Sequence, residues 1–341
     1  MTTAAFERAT SGILSGFAGR QAAITLVAMA IFLFFALFAP HFFTVATIFD
    51  VLRTASFTLL IGIPLTFLII AGEIDLSTGS NYGFCTVMTA VAMTEWGWYP
   101  WLAGGLGLML GASIGFFNGF VSIKGKVPSF ILTLGMLSLL RGLALVIARG
   151  TTIDVTDNLD SAFFVATSGE IFGMPAQILW AAFVFAIGGI ALRYSVFGAH
   201  VYATGGNRQA AMRMGVKPDR VRLIVFTAVG LACGLTAVIT VGWMQAGPPN
   251  TGAGGELQVI AAVIIGGVAL QGGRGTVYGT LIGALIVAML QTGLVLYGVQ
   301  GSWVQFFVGF LIVVAAGLEL QLQPEGPVAE LFRRHLPRPE A

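Results

Sequence analysis

The chain alternates long apolar runs with short polar gaps. A membrane-crossing helix needs about 20 mostly apolar residues. Ten runs meet or approach that length: Ala22–Pro40, Ala55–Ala71, Ser80–Thr94, Trp101–Ile123, Ser129–Ala148, Phe172–Leu192, Val221–Met244, Leu257–Leu270, Thr276–Tyr297 and Trp303–Leu318. The third and eighth are short or interrupted by glycine. The pattern predicts an all-α polytopic membrane protein of about ten transmembrane helices. Residues 1–21 are expected to form a cytoplasmic N-terminal segment, 22–320 the transmembrane domain and 321–341 a cytoplasmic tail. The first run follows a polar segment without a small-x-small cleavage pattern, so it reads as a retained helix.

Composition sharpens this picture. Hydrophobic residues make up 57% of the chain and charged residues 9%, against about 25% charged in a soluble domain. A water-soluble fold could not hide that much apolar surface. Cys85 and Cys233 both lie inside apolar runs with no redox or metal spacing, and read as small core residues.

Orientation follows from where Lys and Arg fall. With the N-terminus (Arg8, Arg20) in the cytoplasm, alternation places Lys124, Lys126, the segment 193–222, Arg274 and Arg333, Arg334 and Arg338 inside. Asp154, Asp157, Asp160 and Glu170 fall outside, and Asn250–Gly255 becomes an outer turn. Arg53, early in the second helix or just before it, is the one mild exception. Both termini are then cytoplasmic. Ten helices divide into five and five, and an odd-numbered repeat inverts its topology. Gly72-Glu73 and Gly255-Glu256, and Gly111-Ala112 and Gly283-Ala284, stand at corresponding places of the two halves. The fourth helix carries Gly107, Gly111, Gly115 and Gly119, a bare stripe that another helix can approach closely; Gly230/Gly234 and Gly279/Gly283 share the spacing.

Charges inside hydrocarbon cost about 2.5–3.5 kcal/mol each on the insertion scale, so they face protein or water. Glu73 and Asp75 lie in a polar break, Gly72-Glu-Ile-Asp-Leu-Ser-Thr-Gly-Ser80. The break is either a pathway or gating element, or a cytoplasmic turn whose helix is capped by Asp75 or Ser77. Arg141 stands past the middle of the fifth helix and needs carboxylates or carbonyls as partners. Asn118 lies near the inner end of the fourth. Glu256 starts the eighth, where a helix dipole favours a carboxylate. Glu73, Asp75, Ser77, Asn118 and Arg141 are the candidate pathway residues.

The segment Arg193–Arg222 is the one long polar stretch. It holds six of the 17 basic residues and a single acid, Asp219. A basic cytoplasmic loop of this size is expected to meet another protein. No phosphate loop, metal constellation or nucleophile–base set occurs, so the chain is not expected to be an enzyme. No nucleic-acid partner is expected either.

Several stretches, in order, resemble ribose-type permeases of ATP-binding-cassette (ABC) importers. They are Gly72–Ser80, Asn118-Gly119, Pro128–Gly135 with Arg141-Gly142, Tyr202–Ala211, Val259–Gly267 and Gly272–Gly275. The likeness runs from about residue 45 to 318. It implies a bacterial inner-membrane subunit that pairs with a second copy or a related chain. It also implies separate ATP-binding subunits, which hold the ATP and Mg, and a periplasmic or lipid-anchored protein delivering a monosaccharide. No cofactor is expected on this chain. The stretch Gln209-Ala-Ala-Met-Arg-Met-Gly215 resembles the Glu-Ala-Ala-x-x-x-Gly motif that docks on the ATPase. The coupling candidates are accordingly Tyr202, Thr204, Gly205, Asn207, Arg208, Gln209, Ala210, Ala211, Arg213 and Gly215. Two residues depart from the pattern: Gln209 where Glu is common, and Glu73 where Gly is usual. The acidic segment Asp154–Glu170 is a candidate docking loop for the delivery protein, or simply a solvated outer loop. Members of the superfamily also move nucleosides, branched-chain amino acids and a furanosyl signal. The competing reading is an ion-coupled secondary transporter, which would want more acids in mid-membrane.

Overall fold

A computed structural model describes residues 3–156 and 162–300, and scattered positions between 303 and 317. The helices are α1 (Thr3–Phe38), α2 (Val45–Ile70), α3 (Thr78–Thr94), α4 (Pro100–Lys124), α5 (Ser129–Ile147), α6 (Ala162–Ser168), α7 (Ala176–Tyr194), α8 (Val196–Gly206), α9 (Arg208–Arg213), α10 (Pro218–Met244), α11 (Gly255–Ile265) and α12 (Val277–Leu296). Four two-residue strands, β1 (Ile153–Asp154), β2 (Glu170–Ile171), β3 (Met174–Pro175) and β4 (Ala246–Gly247), pair as β1–β4 and β2–β3. The chain is a multi-pass helical membrane protein. Among the described residues, seven helices are long and apolar enough to cross: α1, α2, α4, α5, α7, α10 and α12.

The predicted third and eighth helices are present but shorter than the other apolar helices. α3 has 17 residues and α11 has 11. At 1.5 Å per residue these are about 25 and about 16 Å long, against about 30 Å of hydrocarbon. α11 ends at Ile265 rather than Leu270, because Gly266 and Gly267 turn the chain. The sixth predicted helix begins at Ala176, not Phe172; the β2–β3 hairpin occupies the intervening residues. α2 begins at Val45 instead of Ala55, capped by Thr44, and so contains Arg53 in an ion pair with Asp50 at 2.8 Å. The tenth predicted helix lies mostly outside the described residues. So do Asp157, Asp160 and the tail 321–341, and no side chain is described for Arg8 or Arg20.

The glycine stripe has the partner it called for. A Cβ at Gly111 would lie 2.4 Å from the Gly230 carbonyl, and one at Gly115 would lie 2.3 Å from the Phe226 carbonyl, so α4 and α10 meet backbone to backbone. Gly279 and Gly283 of α12 meet the backbone of Ala262 and Gly266 at the end of α11 in the same way, while α12 meets α2 through side chains, with the Thr66 and Thr280 hydroxyls 2.5 Å apart. α3 packs on α4 and α10, while α11 packs on α12 and α2. The central apolar cluster runs from Leu59–Ala71 of α2 through α10 to α11. α1 and α5 are peripheral, and most of their Leu, Ile, Phe and Val side chains among the described residues turn outward.

Candidate functional site

Two breaks in the helical bundle and one polar loop carry nearly all the buried charge. The first break is residues 71–77, between α2 and α3. Asp75 is 1% exposed, and its Oδ1 accepts from the Ser77 amide at 2.8 Å and the Ser77 hydroxyl at 2.6 Å. Asn118 of α4, fully buried, donates through Nδ2 to Ser77 Oγ at 2.9 Å and to Asp75 Oδ2 at 3.5 Å. From the first turns of α5, Thr133 Oγ1 accepts from the Leu76 amide at 3.1 Å and Ser129 Oγ from the Ile74 amide at 3.5 Å. Burial pushes the Asp75 carboxyl above its usual value, against the hydrogen bonds of Ser77 and Asn118. Ser77 is the N-cap residue of α3 but makes no side-chain capping bond; its hydroxyl is turned to Asp75.

Glu73 does not join this cluster. Its Oε1 lies 2.5 Å from Arg222 Nη2, with side-chain exposures of 14% and 8%. Arg222 therefore belongs with the break, although by sequence it is one more basic residue of the polar loop.

The second break, 245–254, contains the turn expected at Asn250–Gly255 and packs it against α3. After Gln245 the chain pairs through β4 with β1 and then runs down the face of α3. A Cβ on Gly247 would meet Ala90, one on Gly83 would lie 2.3 Å from the Thr251 carbonyl, and one on Gly79 would lie 2.5 Å from the Gly252 carbonyl. Residues 79, 83, 86 and 90 make one helical face, small enough for the backbone of 247–252 to lie against it. Pro248 and Pro249 keep that segment out of helix. α11 thus starts beside the first turn of α3. The Glu256 carboxylate sits in the space above Gly79, between two helix N-termini whose dipoles favour a negative charge. Arg141 of α5 holds the segment: its Nη1 donates to the carbonyls of Pro249 at 3.1 Å and Thr251 at 2.8 Å.

Beside the second break lies a cleft of about 430 Å³ lined by Asp50, Arg53, Phe57, Tyr82, Trp243 and Gln258, among others. Arg53 lies over the Trp243 ring, 5.9 Å from its centre, and Phe57 packs on the same ring.

The polar loop folds into α8, α9 and the start of α10. Asn207 caps α9, accepting from the Ala210 amide at 2.9 Å. The helix ends in a Schellman turn: Val216 N–H donates to Ala211 O and Gly215 N–H to Met212 O, with Gly215 at φ +83°. Ala211 is buried beneath this short helix. Arg208, Gln209, Ala210, Met212, Arg213 and Met214 are exposed, Met214 at 84%. Arg208 pairs with Asp219 inside the chain. Thr204 is buried and bonds to His200 O, and Tyr202 donates to Gly275 O at 2.7 Å. Gly205 packs so closely on Ile70 O and the Gly273 amide that no Cβ fits. The end of α8 therefore touches the turns that follow α2 and α11.

These features define a multi-pass membrane protein with a folded polar platform and two broken helix hairpins meeting inside the bundle. The profile of the family described as branched-chain amino acid transport system / permease component matches residues 47–316. The ribose import permease protein RbsC of Escherichia coli K12 is 35% identical over 282 residues, covering 82% of this chain and 87% of that protein. RbsC of Bacillus subtilis 168 is 34% identical over 280 residues, covering 82% and 86%. The L-arabinose ABC transporter permease protein AraH of Azospirillum brasilense is 32% identical over 301 residues, 86% of each chain. No solved structure matches significantly. The chain belongs to this permease family and, within it, to the ribose-type permeases of ABC sugar importers.

Proposed function

We propose that the chain forms the translocation path for a ribose-like monosaccharide in a bacterial inner membrane. A second permease copy, identical or related, completes the path. A periplasmic or lipid-anchored binding protein delivers the sugar, and separate ABC subunits bind ATP and Mg at the cytoplasmic face. The observation that carries this reading is α9. A six-residue helix with buried Ala211, exposed Met212, Arg213 and Met214 and a glycine stop projects from a loop braced on two transmembrane turns. It is small enough to seat in a groove, and its footing cannot yield without moving α2 and α11. Closure of the ATPase pair on ATP would drive that footing and switch the path from one side to the other. Within this reading the cleft beside the second break is the outer part of the route, and Arg141, Asp75, Ser77 and Asn118 shape the breaks through which the sugar passes. An inverted five-plus-five repeat with cytoplasmic termini is supported by the matched pairings of α2, α3 and α4 with α10, α11 and α12.

One observation favours ion coupling instead: Asp75 is a buried carboxylate surrounded by neutral donors. Affinity purification from native membranes in mild detergent separates the two readings. A companion with a Walker A motif, lost on replacing Ala211 and Gly215 by bulky residues, is the expected result. A chain that purifies alone and drives uptake in ATP-free vesicles under an ion gradient would overturn it.

A further inference from the structure

We infer that Glu73 and Arg222 form a tension link through which the docking helix pulls the first break, and hence the start of α3. The inference rests on the importer reading above. Charges alternate along one line: Arg208 at the start of α9, Asp219 in the first turn of α10, Arg222 one turn on, and Glu73 directly after the Gly72 turn. Arg222 spans two acids with its two terminal nitrogens, Nη2 to Glu73 at 2.5 Å and Nη1 to Asp219 at 3.7 Å. A guanidinium suits this because its donors are fixed in one plane. Asp219 is 59% exposed and screened by solvent, but the Glu73–Arg222 pair is nearly withdrawn from water and keeps its strength in salt.

The geometry explains why such a pair is useful here. The other joints between platform and bundle include close backbone contacts, Gly205 on Ile70 and Gly273 on Gly206. Contacts of that kind resist compression and pull only weakly, and the hydrogen bond from Tyr202 of α8 to Gly275 O pulls on the turn after α11 rather than on 71–77. An ion pair resists separation. With both, the 71–77 segment follows the platform in either direction. Its motion reaches α3 within a few residues, and the first turns of α3 are the surface on which the 245–254 segment and Glu256 rest. The residue at 73 in the family signature is usually glycine, which has no charge to offer. The link is therefore an addition in this chain, and Glu73 is a positioning residue rather than a substrate ligand.

The test is hydrogen–deuterium exchange on the complete transporter purified with its native ATPase, compared with and without ATP and vanadate. In the unaltered complex, residues 208–216 and 71–83 should both change protection. In Glu73→Gln, and in Glu73→Gly, which restores the usual residue, the response at 208–216 should persist. The response at 71–83 should fall about fivefold, the low end of coupling between sites. Arg222→Gln should act alike, and the double change should be no worse than either single one, because a pair acts as a unit. A full response at 71–83 in Glu73→Gln, or losses that add in the double variant, would overturn the link. No response at 208–216 in the unaltered complex would instead sink the importer reading beneath it.

Discussion

The two breaks solve the same problem in different ways. Each takes the chain out of helix inside a membrane protein, where unpaired backbone groups are costly. The first, 71–77, is held from several sides by side chains: Asp75, Ser77, Asn118, Ser129 and Thr133 bond to it or within it, and Arg222 grips Glu73. The second, 245–254, is tied at its start by the β1–β4 pairing; beyond it, 248–254 lies on a bare face of α3 and is held there by the Arg141 guanidinium. A segment with many independent partners moves only as a block with its surroundings. A segment with one polar anchor can detach when that anchor shifts. On the importer reading proposed above, the first break acts as a transmission part and the second as a part that can open.

The largest effect should come from the surface on which the breaks meet. Gly83→Val places carbon where the Thr251 carbonyl lies, and a backbone group cannot turn aside as a side chain can. Overpacking typically costs about 1–3 kcal/mol, and a clash with backbone belongs at the upper end of that range. The variant should fail to accumulate as a folded, monodisperse protein in detergent. Near-normal yield and melting temperature would mean that the two breaks are not locked together. Next comes Asp75→Ala, which strands the Ser77 amide, the Ser77 hydroxyl and Asn118 in a buried site. A loss of about 2–3 kcal/mol is expected, read as a lower melting temperature. Asp75→Asn keeps an oxygen for Ser77 and should be much milder. Equal damage from both would show that the negative charge itself holds the break.

Arg141→Met separates the breaks most directly. It preserves an unbranched side chain and removes the donors to Pro249 and Thr251 together with the positive charge near Glu256. Stability should fall by about 1.5 kcal/mol, less than for Asp75→Ala, while exchange at 247–254 rises and ATP-driven uptake drops out of proportion to the stability change. If 71–77 loosens as much as 247–254, the contrast between a braced break and a hung one is lost.

How far these parts can be read from the chain follows the same physics. The spans are legible because hydrocarbon selects composition over whole helices, and the stripe 107/111/115/119 is legible because helix periodicity is local. α9 and its Gly215 stop are likewise local, a cap and a left-handed residue a few positions apart. The second break is not. Gly-Pro-Pro-Asn-Thr-Gly has the chemistry of a turn at any depth, and only the distant Arg141 and the glycines of α3 show that it lies inside the protein. Residues 45–54 of α2 were hidden because Asp50 and Arg53 lower the local hydropathy while remaining helical. The Glu73–Arg222 pair joins two positions far apart in sequence, and no spacing rule reaches that far.

The smallest expected effect lies on the platform, which the comparison makes the driver of the first break rather than the second. Gln209 is exposed on α9, beside Arg208, whose guanidinium is already taken by Asp219. Gln209→Glu restores the acid usual in the docking motif and meets no buried neighbour, so the fold should be unchanged. Exposed ion pairs contribute about 0.5 kcal/mol. Affinity for the ATPase should therefore rise about twofold and weaken again in high salt, measured by titrating ATPase into the purified permease. The gain should be kept in Arg141→Met, because docking precedes any motion of the second break. It should also be kept in Glu73→Gln, whose defect lies after docking. A gain that vanished in Glu73→Gln would place the ion pair in the docking surface itself, and the transmission reading of the first break would give way to a simpler one in which the pair only shapes the platform.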